Sequence, residues 1–351
     1  MKKIFLYLFI LVCTLEAEDN NAVPVHGFFD VGAGYAQEDG HVNFTKGALD
    51  FYYTKDISEK INVFIDLVVE SDGSATVVDL ERLYIKYDMH EYLQTTFGKF
   101  HTPYGYWNTA FHHGLQIQTS ILRPKFLAFE DEGGVLASHS LGILASGSIE
   151  DFSYDMYITS GSRITQNGTS SINPNKDGSL TLNSGAEQDE NKMYGANLAY
   201  YFNETKVGVH SFYQKVNIFG NRTSEVFTNG AYIAAELENL EFYSEVYVFY
   251  NKNGSGQYKD EYLDSEAYYA QLAYDFDGIK PYIRFEYTHY NEKDFYFSAQ
   301  QATAGGSYDR QTLGINYSLN RDANIKLAVI RTNTHSVSDT VDVLAQFAVR
   351  F

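Results

Sequence analysis

The strongest constraint on the fold of this chain is a near-continuous alternation of apolar and polar side chains. Phe285, for example, lies between Arg284 and Glu286. Because neighbouring side chains of a β-strand point to opposite faces, such segments are predicted to be strands with one apolar wall and one charged wall. The alternation is clearest in 61–70, 240–250 and 279–287. The sequence therefore predicts an all-β, antiparallel fold.

The connections indicate how the apolar wall is covered. A sandwich buries it against a second sheet, whereas a transmembrane barrel turns it towards lipid. Tight polar turns such as Glu150–Asp151, Asn203–Glu204 and Asp277–Gly278 alternate with longer connections, the longest near 101–132 and 162–191. Short turns at one rim and long loops at the other are typical of outer-membrane barrels. A sandwich has no reason to sort its loops in this way.

The alternation and the turns predict sixteen strands, with fourteen or eighteen left open because strand ends are uncertain by about two to four residues. They are predicted near 25–36, 44–56, 60–70, 78–88, 92–100, 133–148, 152–161, 192–203, 205–217, 226–238, 240–251, 265–276, 279–290, 308–319, 324–333 and 341–351. Since every backbone donor and acceptor in lipid has to be paired within the protein, the sheet has to close. The last strand is therefore predicted to pair with the first.

Composition favours the barrel over the sandwich. The chain has 30 Tyr and 25 Phe against one Trp and five Pro. Beyond the first residues, no segment has the about 20 consecutive apolar residues that a membrane helix needs. Alternation rich in aromatic residues, without such a helix, is typical of a transmembrane β-barrel.

Residues 1–17 are predicted to be a cleaved signal peptide. A short basic region precedes the unbroken apolar run 4–12, and small and polar residues then lead to Ala17. The apolar run is too short to span a bilayer. Cys13 is the only cysteine, and the residue before it is bulkier than a lipidation site requires. We therefore expect a mature chain, 18–351, that forms one barrel without disulfides.

In its whole architecture the chain resembles the Gram-negative outer-membrane porins. The resemblance covers a signal peptide, about sixteen amphipathic strands, a long third external loop and a last strand that ends Gln346-Phe347-Ala348-Val349-Arg350-Phe351. It implies a channel in the cell outer membrane for passive diffusion of small hydrophilic solutes, often as a homotrimer, with the third loop, about 101–132, folded inward. It also implies that the barrel-assembly machinery reads the terminal strand through Phe351.

A constriction that selects by charge requires acidic and basic groups around a narrow opening. The predicted third loop and the lumen-facing strand positions supply both kinds of group. The candidates are Glu130, Asp131, Glu132, Arg123 and Lys125 on the loop and Arg82, Lys86 and Arg284 on strands. In the alternative interpretation the acidic triplet only solvates the rim. A sugar-stacking track is a further hypothesis, formed by lumen tyrosines Tyr232, Tyr243, Tyr247, Tyr269 and Tyr282.

The charge balance favours a weak preference for cations. The net charge is −19, and −20 once residues 1–17 are removed. Negative potential in a channel raises the local concentration of cations, and an anion channel would require a Lys/Arg ladder. Acidic external loops such as 187–190 are alternative sources of this charge and candidates for divalent cations that bridge to lipopolysaccharide phosphates. The acidic balance also disfavours a nucleic-acid partner.

Three other kinds of site are weighed against a channel. A ligand-binding or adhesive barrel would use the Ser/Asn/Gly/Thr-rich connection 162–191. A barrel hydrolase would require a Ser/His/Asn set, and a metal site would require clustered imidazoles. The residues considered are Asn108, His112, His113, Ser138, His139 and Ser140 for catalysis and His101, His112 and His113 for metal. Neighbours in a strand point apart, so the adjacent Ser and His are not expected to act together. The chain is therefore predicted not to be an enzyme.

Overall fold

Most of the chain folds into strands of one antiparallel sheet. The computed structural model describes residues 26–37, 40–45, 47–71, 76–111, 116–129, 132–166, 178–181, 191–218, 222–304, 306–334 and 339–351. The predicted signal peptide and the acidic stretch 187–190 lie outside them.

The strands within these ranges are β1 (His26–Ala36), β2 (His41–Thr45), β3 (Leu49–Ser58), β4 (Ile61–Ser71), β5 (Thr76–His90), β6 (Leu93–His101), β7 (His139–Ile149), β8 (Phe152–Ser160), β9 (Arg163–Gln166), β10 (Gly178–Thr181), β11 (Lys192–Phe202), β12 (Thr205–Ile218), β13 (Arg222–Leu237), β14 (Leu240–Asn253), β15 (Tyr262–Tyr274), β16 (Ile279–His289), β17 (Tyr308–Asn320), β18 (Ala323–Thr334) and β19 (Thr340–Arg350). Helices are α1 (Trp107–Ala110), a 3₁₀ turn (Lys125–Leu127) and α2 (Phe295–Ala304). Among the described residues, no helix combines the length and the apolar character that crossing a membrane would require.

The sheet closes on itself. β1 pairs with β19 from Phe28↔Arg350 to Ala36↔Asp342. On its other side β1 pairs with β3 and then with β2, so these two strands share one position in the barrel. β11 pairs directly with β8, which leaves β9 and β10 as a hairpin in the intervening loop. The described residues therefore form a closed barrel of 16 strand positions, which confirms the predicted count and closure and excludes a sandwich.

One predicted strand boundary was wrong for an identifiable reason. The segment 133–148 was predicted as one strand, but β7 begins at His139. Val135, Leu136 and Ala137 are instead buried in the lumen as part of the preceding loop. An apolar run that packs inside the barrel has the same composition as one that faces lipid, so alternation alone did not separate them.

The connections are sorted by length. Turns of two residues join β3 to β4, β5 to β6, β7 to β8, β11 to β12, β13 to β14 and β17 to β18. Glu150, Asn203 and Glu238 at such turns have φ of 52°, 53° and 47°, the left-handed conformation that suits the twist of a tight hairpin. All of these turns lie at one end of the barrel, the short-turn rim. The other end, the long-loop rim, carries the long connections.

Side chains alternate between the two walls as predicted. In β18, Leu327 and Val329 are 51% and 46% exposed on the outside. Lys326, which lies between Ile325 and Leu327, is fully buried inside. The outside is an apolar band that suits lipid, and the charged groups point into the barrel.

Several tyrosines in the lumen lie over glycines of the neighbouring strand. A Cβ at Gly314 would lie 2.3 Å from Cζ of Tyr282, and one at Gly208 would lie 2.2 Å from Cζ of Tyr232. Glycine at these positions lets a large ring lie flat against the wall. Gly195 is packed in the same way, because a Cβ there would lie 2.2 Å from Cζ of Tyr157.

Candidate pore constriction

The described residues between β6 and β7 (102–111, 116–129 and 132–138) form a loop that lies inside the barrel, and we call them the constriction loop. Trp107 and Phe126 in this loop have no exposed surface. Both pack on rings of the barrel wall: Phe126 lies 5.4 Å from Tyr247 and Trp107 lies 5.6 Å from Tyr269, between ring centroids. The loop therefore fills the side of the lumen that is bounded by β14 and β15.

Glu245 of β14 anchors the start of the loop. Its carboxylate accepts the backbone N–H groups of Trp107 at 2.7 Å and Tyr106 at 3.1 Å. The hydroxyls of Tyr247 and Tyr269 donate to the same carboxylate at 2.7 and 2.8 Å. Four donors around one buried carboxylate offset the cost of taking its charge out of water.

Gly105 permits this close approach. A Cβ there would lie 2.0 Å from Oε2 of Glu245 and 2.2 Å from the Tyr247 hydroxyl oxygen. Its φ of +62° also lies in the left-handed region that favours glycine. The dipeptide Gly105-Tyr106 therefore brings the backbone onto the wall.

Two cations of the barrel wall hold the middle of the loop by its carbonyl groups. Arg284 donates through Nη1 to the Leu122 carbonyl oxygen at 2.8 Å and through Nη2 to that of Arg123 at 3.1 Å. Lys326 donates through Nζ to the carbonyl oxygens of Gln118 at 2.8 Å and Ser120 at 3.2 Å. These hydrogen bonds hold the middle of the loop against the barrel wall.

The connection between β16 and β17 also folds inward, which the sequence analysis did not predict. The hydroxyl of Tyr296 in α2 donates to the Val135 carbonyl of the constriction loop. Asp294 caps α2 by accepting the backbone N–H of Tyr296 at 2.8 Å, and it also accepts Nδ2 of Asn251 at 2.8 Å. Burial raises the pKa of Asp294 to about 6, against hydrogen bonds that lower it.

An opening lies on the opposite side of the lumen, along β1 to β4 and β19. It is a cavity of about 860 Å³ between this wall and the constriction loop, and we call it the open passage. On β1 its lining runs from Phe28 to Ala36, which is roughly 25 Å along a strand. The charged groups in its lining are Asp30, Asp50, Glu70, Glu132, Asp342 and Arg123. Carboxylates thus outnumber cations there by five to one.

The predicted constriction residues are distributed between the passage and the loop anchor. Glu132 is exposed and lines the passage, and Arg123 lines it while only 5% exposed. Glu130 and Asp131 lie outside the described residues. The side chain of Lys125 lies over the Tyr308 ring, with Nζ 5.0 Å from its centroid.

The three predicted bases on strands differ in their surroundings. Arg82 donates through Nε to Asp66 at 2.7 Å. Lys86 is half-buried on β5, across from Asn62 and Thr96. Arg284 is fully buried beneath the constriction loop and is not among the residues that line the open passage.

The suggested sugar-stacking track does not line the passage. Tyr243, Tyr247 and Tyr269 are at most 2% exposed because the constriction loop covers them. Tyr232 and Tyr282 lie over glycines and are at most 5% exposed.

The sequence analysis missed most of the acidic residues that do line the passage. Asp30, Asp50, Glu70 and Asp342 all occupy lumen-facing positions of strands. Strand alternation predicts that Asp30 and Asp342 point inward. It does not predict which half of the lumen stays open.

The residues considered for catalysis or metal binding have other contacts. Asn108 donates to the carbonyls of Thr102 at 2.9 Å and Ser138 at 3.0 Å. Nε2 of His139 lies 3.0 Å from Oε2 of Glu81. His112 and His113 are outside the described residues, and within those residues no group of three or more His, Cys, Asp or Glu is placed to hold a metal ion.

Comparisons with known proteins place this architecture among porin structures. No protein-family model matches the sequence, and no curated protein matches it. An anion-selective porin from Comamonas acidovorans is 11% identical with a TM-score of 0.65, over 93% of this chain and 99% of that one. OmpF of Salmonella typhi, in a complex with daunomycin, is 13% identical with a TM-score of 0.61, over 95% and 99%. OmpT of Vibrio cholerae in its trimer form is 9% identical with a TM-score of 0.61, over 93% and 98%. At these identities the likeness is one of fold, a 16-stranded porin barrel.

Proposed function

We propose that this chain is an outer-membrane diffusion channel that admits small hydrophilic solutes and prefers cations. The observation that carries the proposal is the open passage, a cavity of about 860 Å³ that runs between the constriction loop and the barrel wall. Its length along β1, roughly 25 Å, is similar to the height of the apolar band of outer-membrane barrels.

The charge of the passage supports the preference for cations. Five carboxylates and one guanidinium line it among the described residues. Fixed charge of one sign in a narrow, low-dielectric opening raises the local concentration of the opposite ion. The similar porin from Comamonas acidovorans is named anion-selective, so the barrel fold by itself does not decide the sign of the selectivity. We attribute the sign to the charges that line the passage.

The assembly and location follow the same reasoning. The apolar outer wall suits the outer-membrane bilayer, and we propose export by a signal peptide in residues 1–17. The Vibrio cholerae OmpT structure is named a trimer form, and a homotrimer is proposed here by that likeness. Lipopolysaccharide, divalent cations bound at external acidic loops and the barrel-assembly machinery are the other proposed partners.

The decisive experiment records ion currents through the purified protein in planar bilayers. With a tenfold KCl gradient across the bilayer, we expect stable channels and a reversal potential of the sign that gives K⁺ the higher permeability. Channels that favour Cl⁻ would overturn the cation preference, and an electrically silent barrel would overturn the channel itself. Assaying the same preparation for phospholipid or peptide hydrolysis tests the enzyme alternative.

A further inference from the structure

Four aromatic rings form a row across the lumen face of the barrel wall, and the first of them, Phe28, lines the open passage. In order, Phe28, Tyr52, Phe64 and Tyr84 stand on β1, β3, β4 and β5, with successive ring centroids 5.9, 6.0 and 5.1 Å apart and interplanar angles of 27°, 15° and 8°. All four rings are partly exposed. They face the lumen, since Ile85, the next residue after Tyr84, is 50% exposed on the outside. We call these four rings the aromatic row.

A row of carboxylates lies beside the aromatic row. Asp30, Asp50 and Asp66 each lie two residues from one of its rings on the same strand and the same face, a distance of about 7 Å along the strand. Asp30 and Asp50 line the open passage. We call these three carboxylates the acidic row.

Two carboxylates of the acidic row are short of hydrogen-bond donors. Asp50 is 3% exposed and Asp66 is fully buried. Within the described part of the chain, Oδ1 of each accepts no hydrogen bond. Arg82 alone donates a charged hydrogen bond to this pair, at Oδ2 of Asp66. A buried carboxylate oxygen without a donor is unfavourable, so a positive charge that approaches this pair through the passage that Asp50 lines is attracted to it.

Rings in this part of the lumen already carry cations of the protein itself. Cζ of Arg82 lies 4.4 Å from the centroid of Phe64 in the aromatic row. Cζ of Arg123 lies 4.5 Å from the centroid of Phe129, which lines the same passage. Such contacts are attractive because the face of an aromatic ring has negative electrostatic potential.

We propose that the open passage recognises organic cations, with an ammonium or guanidinium group held at the acidic row and an apolar or aromatic body against the aromatic row. The inference deepens the proposed function and rests on it. The solute class follows from the acidic row and the aromatic row lying side by side, because one attracts positive charge and the other attracts apolar and aromatic groups. Inorganic cations make favourable contacts with the acidic row only, and aromatic anions make favourable contacts with the aromatic row only.

The test measures block of the KCl current through the purified protein by three probes. Phenethylammonium has both a ring and a positive charge, ethylammonium has the charge alone, and phenylacetate has a ring with a negative charge. We expect half-block by phenethylammonium at a concentration about tenfold or more below that of either other probe. Equal concentrations for phenethylammonium and ethylammonium would overturn the inference.

Variants locate the effect at the two rows. Phe64→Leu removes a ring and is expected to raise the half-block concentration of phenethylammonium about three- to tenfold, as loss of one cation–π contact implies. Asp50→Asn is expected to raise it for both cations. The matched control is Tyr268→Leu, because Tyr268 stacks on Tyr287 at 5.1 Å but is 44% exposed on the outside wall. An equal effect of the control and Phe64→Leu would overturn the assignment.

The measurements separate the inference from the proposed function. KCl conductance of the unsubstituted protein in the absence of probe reports the channel, and a heat-modifiable band for each variant on gel electrophoresis shows that its barrel has folded. Conductance without ring-dependent block would contradict the inference and leave the channel standing. Absence of any conductance in the unsubstituted protein would contradict both.

Discussion

The carboxylate of Glu245 on the barrel wall accepts the backbone N–H of Trp107, the first residue of the helix in the constriction loop, at 2.7 Å. A wall residue thus sets the position of a loop that is about 140 residues away in sequence. The width of the open passage depends on this contact, because the loop forms one side of that passage.

Replacing Glu245 with Ala is expected to release the constriction loop. The change removes the acceptor of four hydrogen bonds, and each hydrogen bond to a charged group contributes about 1.5–3 kcal/mol. We expect noisier single-channel currents with additional conductance levels. The control is Glu266→Ala on the exposed outer face of β15, which should record as the unsubstituted protein. Identical traces for both variants would show that Glu245 does not fix the loop.

Neutralising carboxylates of the open passage should weaken the cation preference. Asp342→Asn and Glu132→Gln each remove one of five acidic groups from a lining with one guanidinium. Each lost carboxylate makes the electrostatic potential in the passage less negative. We therefore expect the K⁺ to Cl⁻ permeability ratio to drop in each variant and further in the double variant. The measurement is the reversal potential in a KCl gradient. A ratio unchanged in the double variant would locate the selectivity elsewhere.

The inward fold of the α2 segment is expected to depend on pH through Asp294. Burial raises the pKa of its carboxyl from 3.8 to about 6. A raised pKa means that the folded segment prefers the protonated acid, so its contribution is complete below about pH 4 and is lost as the pH rises through about 6. Hydrogen exchange in 294–304, corrected for intrinsic rates, should therefore be slower at pH 5 than at pH 7.5.

Asp294→Asn is the matching variant for that experiment. Asn caps helices about as well as Asp, and it has no proton to lose in this range. We expect the corrected exchange rates of the variant to be equal at the two pH values. A pH dependence that survives the substitution would assign it to another group.

Deleting Phe351 is expected to impair assembly more than conduction. Its backbone exchanges two hydrogen bonds of 3.0 Å with Gly27, and its ring lies 6.1 Å from that of Phe51. These contacts close the seam between the first and last strands. The amount of heat-modifiable barrel in outer membranes should fall severalfold, while the channels that do form keep their conductance. Phe351→Tyr retains the ring and the backbone and should assemble normally.

The barrel was predictable from sequence because its signal is local and repeated. Alternation shows in each strand separately, as in Arg284 between Ile283 and Phe285. The short turns indicate which strands are neighbours in the sheet. The count of sixteen, the closure and the direction of most side chains followed from these patterns alone.

The site was less predictable because it depends on contacts between distant segments. Arg284 was correctly predicted to point inward, but whether an inward residue meets water or a loop depends on where that loop packs. The same applies to Tyr247 and Tyr269, which the constriction loop covers. Glu245 resembled any other lumen acid in sequence, and its four donors come from two strands and a loop.

The placement of the open passage against β1 and β19 has a consequence for biogenesis. The wall of the water path contains the joint between the two ends of the sheet, so the path does not exist until that joint forms. For the proposed channel, permeability therefore begins only with the final strand pairing.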